Sequence, residues 1–110
     1  MKLPNADRAT VDIIKLRDYC LSDSHPGGRY KAYVFRAVLG LTAEHAEQLR
    51  QALVRAAQNE EATLTGEDEF GRRYVVDFDM HGISRVARIR SAWIVRRGED
   101  FARLTSCYVL

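Results

Sequence analysis

Apolar residues recur at every second position from Arg73 to Met80, with Tyr74, Val76, Phe78 and Met80 on one side. That two-residue period predicts a strand with one buried face. A longer run of the same kind extends from Val86 to Arg96. Ala87, Ile89, Ser91, Trp93 and Val95 share one of its faces, and Val86, Arg88, Arg90, Ala92 and Ile94 share the other. A last strand is predicted from Arg103 to Val109. Ala62 to Leu64 reads as a short strand and Gly66 to Gly71 as a polar, acidic loop. His81-Gly82 and Arg97-Gly98-Glu99-Asp100 read as turns.

Upstream, the period is helical. Asp12 is a candidate N-cap for a short helix carrying Ile13, Leu16 and Cys20 on one face. Residues 1–11 are either extended or lengthen that helix from Asp7. The turn cluster from Ser22 to Gly28 follows. A second helix is predicted over 29–39, with Tyr30, Val34 and Val38 in one row flanked by Phe35 and Leu39. Gly40 ends it as the glycine just past the last turn. Thr42 caps a third helix whose stripe is Ala46, Leu49, Leu53 and Ala56, fading near Gln58-Asn59. Helices first and strands later predict an α+β fold. About three N-terminal helices pack on one face of a C-terminal antiparallel sheet of three to four strands, and the other face is open.

The chain has 110 residues, which fits a single domain over 1–110 with a core that needs no metal or disulfide. With 46% hydrophobic and 29% charged residues it is globular rather than disordered. No apolar run approaches the roughly 18 residues of a membrane span. The start of the chain lacks the apolar core of a secretory signal, so a cytoplasmic location is expected. Cys20 and Cys107 lie far apart and outside any CxxC pair, and read as reduced, buried thiols.

The formal net charge is only +2, but it is segregated. Seven basic side chains stand against four acidic ones in residues 1–39, two against seven in 40–70, and eight against four in 71–110. A near-neutral chain can therefore still present a basic face. The histidines His25, His45 and His81 have no metal-ligand spacing, and phosphate-loop and nucleophile-elbow motifs are absent. No metal and no cofactor is expected.

The remaining candidates suit a phosphodiester. His25 stands in a loop before a basic helix start, and an imidazole there can exchange a proton near neutral pH. Arg29 and Lys31 follow it and either bind phosphate or decorate a wet helix face. Arg88 and Arg90 point the same way about 7 Å apart at strand spacing. They form a phosphate clamp, or else pair with Asp77 and Asp79. Thr105, Ser106 and Tyr108 bring hydroxyls onto the last strand. Trp93 alternates with the arginines and is either core or part of a substrate surface.

Several segments carry a resemblance to a known family. They are Asp12 through Leu21, His25-Pro26-Gly27-Gly28-Arg29-Tyr30-Lys31-Ala32 with Phe35, Leu39-Gly40, Arg90-Ser91-Ala92-Trp93 and Leu104-Thr105-Ser106-Cys107-Tyr108. Together they resemble a small bacterial family, domain of unknown function six-eight-eight-three, over nearly the whole chain. That family occurs as standalone proteins of this length and at the C-termini of polymorphic toxins. The order of histidine, Lys31-Ala32, Phe35 and Leu39-Gly40, then Arg90 with Trp93 and a terminal Thr105 and Tyr108, is also similar to the barnase–EndoU–colicin–RelE ribonucleases.

The second resemblance implies RNA cleavage without metal, by attack of a 2′-hydroxyl on its own phosphate. His25, Lys31, Arg90, Thr105 and Tyr108 would carry the catalytic site, and Arg29, Arg88, Ser106 and Trp93 would hold substrate. Lys31 and Arg90 would stabilise the charge on the phosphorane. The implied partners are RNA, with tRNA as one candidate, and a small acidic antitoxin or immunity protein, with no membrane. Barnase-like enzymes often pair a Glu with a His. No Glu stands at a strand position near the arginines here, which leaves the base open. A non-catalytic module that binds RNA or an acidic protein through the same face is the alternative.

Overall fold

The alternating segments pair in the order in which they follow along the chain. The computed structural model describes residues 1–83 and 85–110. Four strands, β1 (Ala62–Asp68), β2 (Gly71–His81), β3 (Val86–Arg96) and β4 (Arg103–Val109), form an antiparallel meander in that order. The β2–β3 register sets Tyr74 opposite Trp93, Val76 opposite Ser91 and Phe78 opposite Ile89, all on the buried face. On the other face, Asp77 stands opposite Arg90 and Asp79 opposite Arg88.

The expected acidic loop is partly strand. Beyond a bulge between Leu64 and Gly66, residues Gly66 to Asp68 pair with Arg73 to Gly71. Only Ala62 of β1 is buried. A strand that pairs through its backbone and buries almost nothing has no need of an apolar row, so polarity was a poor guide there. Asp68 closes the turn that remains, accepting from Phe70 N at 2.9 Å and Gly71 N at 3.2 Å.

The helices cover the buried face. Asp12 caps α1 (Ile13–Lys15), its Oδ1 accepting from Ile14 N at 2.9 Å, and the helix continues as a π turn over Leu16–Cys20. The segment before it does not lengthen α1: it turns at Pro4-Asn5 into a 3-10 turn at Ala6–Arg8 and then runs to a single bridge at Thr10. α2 (Arg29–Val34) likewise continues as a π turn over Phe35–Leu39 and ends at Gly40, whose φ of 71° suits glycine. A 3-10 turn at Ala43–His45 leads into α3 (Ala46–Asn59). Its buried row is the expected one, Ala46, Leu49, Leu53 and Ala56, with Ala57 added. α3 packs on β2, and both π turns and α2 pack on β3 and β4.

Two helix faces differ from the sequence expectation. Leu16 and Cys20 are buried, but Ile13 is exposed. On α2 the buried row is Ala32, Phe35 and Leu39, while Val34 and Val38 are half-buried and Tyr30 is 78% exposed. Two apolar rows were available on this helix. The sheet takes the one that buries a phenyl ring and a small alanine and leaves the phenol, which needs a polar partner, in water. Gly28 sets the approach of α2 to α1, since a Cβ there would lie 2.4 Å from the Tyr19 carbonyl oxygen.

The core is built around Trp93. Its indole Nε1 donates to Ser91 Oγ at 2.8 Å, and Ser91 Oγ donates to the Val76 carbonyl at 2.7 Å. All of this is enclosed, so the hydroxyl is what satisfies the buried N–H. Ser91→Ala is expected to cost about 1–3 kcal/mol in urea unfolding, because it strands the indole N–H. Adding Trp93→Phe should then cost less than in the parent, giving a non-additive cycle.

Candidate functional site at the free edge of β4

β4 is an edge strand, and an open edge presents unpaired backbone groups. The N-terminal third of the chain covers it in three places. Thr10 pairs in parallel with Arg103, Thr10 N donating to Ala102 O at 2.9 Å and Leu104 N to Thr10 O at 3.0 Å. Lys15 Nζ then donates to the Thr105 carbonyl at 3.4 Å. Beyond that α2 packs on the strand, with Lys31 Nζ 5.0 Å from the centre of the Tyr108 ring.

Covering the edge in this way brings several of the expected residues together. His25 lies in the connection before α2. Its Nδ1 accepts from Gly27 N at 3.0 Å, which places the proton of the neutral ring on Nε2. The ring stands edge-on to Tyr19, at 4.6 Å and 71°. His25 and Thr105 line one cleft of about 430 Å³ together with Lys15, Tyr19, Asp12 and Asp18. A bulge between Ala92 and Trp93 lets Thr105 stand extra on β4, and its hydroxyl donates to the Ala92 carbonyl at 3.1 Å. That proton is used inside the sheet, so Thr105 is placed to shape the cleft rather than to donate to a phosphate.

Arg90 stands on the next strand, on the open face, opposite Tyr108 in register. Its guanidinium grips Asp77 with two bonds of 2.9 and 2.8 Å. The pair pushes the Arg90 pKa up, chiefly through the Asp77 carboxylate and less through Tyr108, and holds Asp77 below its ordinary range. Arg88 meets Asp79 at 3.1 Å. Of the two readings of these arginines, the acid-paired one is what the structure contains. The five residues expected to be catalytic are thus strung along β4. His25 shares a cleft with Thr105, Lys31 touches Tyr108, and Arg90 lies beside them in an ion pair.

Among the expected substrate-binding residues, Trp93 requires correction. It is 1% exposed and its N–H is spent on Ser91, so it is a core side chain. Ser106 Oγ is buried, has no hydrogen-bond partner among the described residues and is not offered to solvent. Arg29 is exposed and, like Lys15 and Lys31, forms no ion pair among the described residues.

Three acids had gone unassigned to any site. Asp12 caps α1 through one oxygen and also lines the His25 cleft. Its spacing from His25 carries no signal, because the folding of the α1–α2 connection alone brings both to one cleft. Glu60 and Glu61 come from the α3–β1 connection and share a cleft of about 480 Å³ on the open face with Arg88, Arg90 and Asp77. They bring carboxylates to the arginines from outside the strands, and that cleft has more acids than guanidinium groups. Cys20 and Cys107, far apart in sequence, are both buried, and a hydrogen bond between them lowers the Cys20 pKa and helps raise that of Cys107.

These features define a small α+β domain whose helices cover one sheet face and bring unpaired cations to the edge strand. The family described as domain of unknown function (DUF6883) matches residues 2–110, and the chain belongs to it. Neither a curated protein nor a solved structure matches the chain. No helix among the described residues is long and apolar enough to cross a membrane.

The Asp77–Arg90 pair has a pH signature. Because the folded-state pKa of Asp77 is depressed, its stabilisation is present above the unfolded aspartate value, about 3.9, and is lost as pH falls through the folded value. Asp77→Asn should lower the urea midpoint at neutral pH. The gap to the parent should close as the solution is acidified through the aspartate range.

Proposed function

We propose that this chain is a metal-independent endoribonuclease working at the β4 edge, in the manner implied by its likeness to barnase–EndoU–colicin–RelE toxins. The observation that carries the reading is the grouping of His25, Lys15 and Asp12 in one cleft against Thr105, with Lys31 on Tyr108 beside it. The 2′-hydroxyl attacks its own phosphorus and gives its proton to the Asp12 carboxylate. The bond to the 5′-oxygen breaks, and His25, entering the step as the imidazolium with Nδ1 released from Gly27 N, gives its Nε2 proton to this leaving oxygen and becomes neutral. A 2′,3′-cyclic phosphate and a 5′-hydroxyl result. Lys15 and Lys31, which no carboxylate neutralises among the described residues, offset the extra negative charge on the phosphorane. As a bacterial toxin acting in the cytoplasm, the protein would be held in check by a small acidic antitoxin or immunity protein lying over the same cations.

A second reading is a module that binds RNA without cutting it. The pairing of Arg90 with Asp77 favours it over cleavage, because it withholds the guanidinium that the resemblance assigns to the phosphorane.

Purified protein incubated with tRNA or total RNA in EDTA is expected to leave fragments ending in cyclic phosphate. His25→Ala and Asp12→Asn should each slow cleavage by roughly 10²–10⁴-fold while RNA affinity stays near the parent value. Asn is an equally good N-cap, so Asp12→Asn tests the proton acceptor without loosening α1. If neither RNA is cut and expression without a partner leaves growth unaffected, the ribonuclease reading fails. RNA bound but not cut by the parent protein would leave the binding module.

A further inference from the structure

The outer side of α2 carries two tyrosines that the core does not use. Tyr30 is 78% exposed and Tyr33 is 56% exposed. At positions three apart on a helix, their side chains are neighbours on one face. Single exposed apolar residues are ordinary on a protein surface, but adjacent aromatic rings on one helix face form a platform. The charges beside them are mostly basic. Arg29 and Lys31 flank Tyr30 in sequence, and neither has a carboxylate partner among the described residues. Arg36 holds its guanidinium 5.9 Å from the centre of the Tyr33 ring and reaches Asp23 at 3.5 Å. Lys31, next to Tyr30 in sequence, reaches the Tyr108 ring on β4.

Phe70 is 62% exposed too, but it follows the acidic run Glu67-Asp68-Glu69, and the guanidinium of the neighbouring Arg97 is engaged by the Asp68 and Glu69 carbonyls. Exposed rings and unpaired cations coincide at α2. A polyanion with flat, unstacked faces fits both, and single-stranded nucleic acid has that chemistry. A duplex hides its base faces and offers only phosphate to the cations.

We propose that the Tyr30–Tyr33 face of α2 is a stacking platform for single-stranded RNA, with Arg29 and Lys31 on the backbone phosphates, leading the strand to the β4 edge. The inference rests on the reading that the chain acts on RNA, and it names the form of RNA and the residues that grip it.

The test uses the full chain and a 2′-O-methyl RNA 12-mer, which cannot undergo 2′-hydroxyl attack, with fluorescence anisotropy as the readout. The single strand should bind tighter than the same sequence as a duplex. Tyr30→Ala and Tyr33→Ala should each weaken single-strand binding at least about fivefold, and Tyr→Phe at either position should restore it. Arg29→Ala should reduce the salt slope by about 0.7, while the tyrosine variants leave that slope unchanged.

Equal binding of duplex, or tyrosine variants that bind like the parent, would overturn the proposal. So would a platform that the alanine variants abolish only for an acidic polypeptide or for self-association. Cleavage of unmodified RNA by the same proteins separates the two claims. RNA cut as before with tyrosine-independent binding sinks only the platform. Tyrosine-dependent binding with no cleavage sinks only the ribonuclease reading.

Discussion

The unpaired edge of β4 is the constraint from which the rest of the site follows. A four-stranded meander leaves two edges, and each presents backbone donors and acceptors that need water or a partner. At β4 the chain solves this with its own N-terminal third. Thr10 supplies backbone pairing to Ala102 and Leu104, Lys15 an ammonium to the Thr105 carbonyl, and α2 a packed helix face. Segments recruited to close an edge carry their side chains with them. The cations and the imidazole therefore collect where the sheet would otherwise be open. The structural requirement and the candidate chemistry have the same cause.

The charge pattern has a similar logic. The arginines of the last block look like a basic sheet face in one dimension. Cross-strand register sets Asp77 and Asp79 opposite two of them, and side-chain pairs at that spacing neutralise one another. Asp68 and Glu99 do the same for Arg73 and Arg103. Most of these pairs are half exposed, so they add little stability, but they remove the guanidinium groups from contention for phosphate. Among the described residues Lys15, Arg29 and Lys31 of the N-terminal third have no carboxylate partner, and neither do Arg55, Arg72, Arg85, Arg96 and Arg97. At the middle of the open sheet face the arginines are balanced, whereas the cations brought to α2 and the β4 edge are not.

How far the sequence could be read depended on what each residue answers to. The bounds of β3 and β4 were readable because their apolar runs end at turn residues, although Ile94 is buried beside Trp93 and the bulge at Thr105 breaks the alternation of β4. The row along α3 was readable because its apolar residues make a single stripe. β1 was underestimated, since a nearly unburied strand announces itself only through pairing. α2 carried two apolar rows, and the chain alone does not say which one meets the sheet. Trp93 was ambiguous for the opposite reason, because an aromatic residue between arginines suits a core or a binding surface equally well. Ser91 decides it by satisfying the indole N–H from within the core.

By itself, the sequence determined the α+β class, the order of helices and strands, the caps at Asp12 and Gly40, and the presence of His25, Lys31, Thr105 and Tyr108 as chemistry-bearing residues. Those properties rest on local period and side-chain type, which are written along the chain. Only the tertiary structure decided which of these residues meet. Asp12 and His25 share a cleft with Thr105, Lys31 lies on Tyr108, and Arg90 is taken by Asp77. Tyr30 and Tyr33 face outward for the same reason. Proximity across tens of residues, and the choice of which helix face is buried, follow from strand register and edge packing, and neither is a property of any short stretch of sequence.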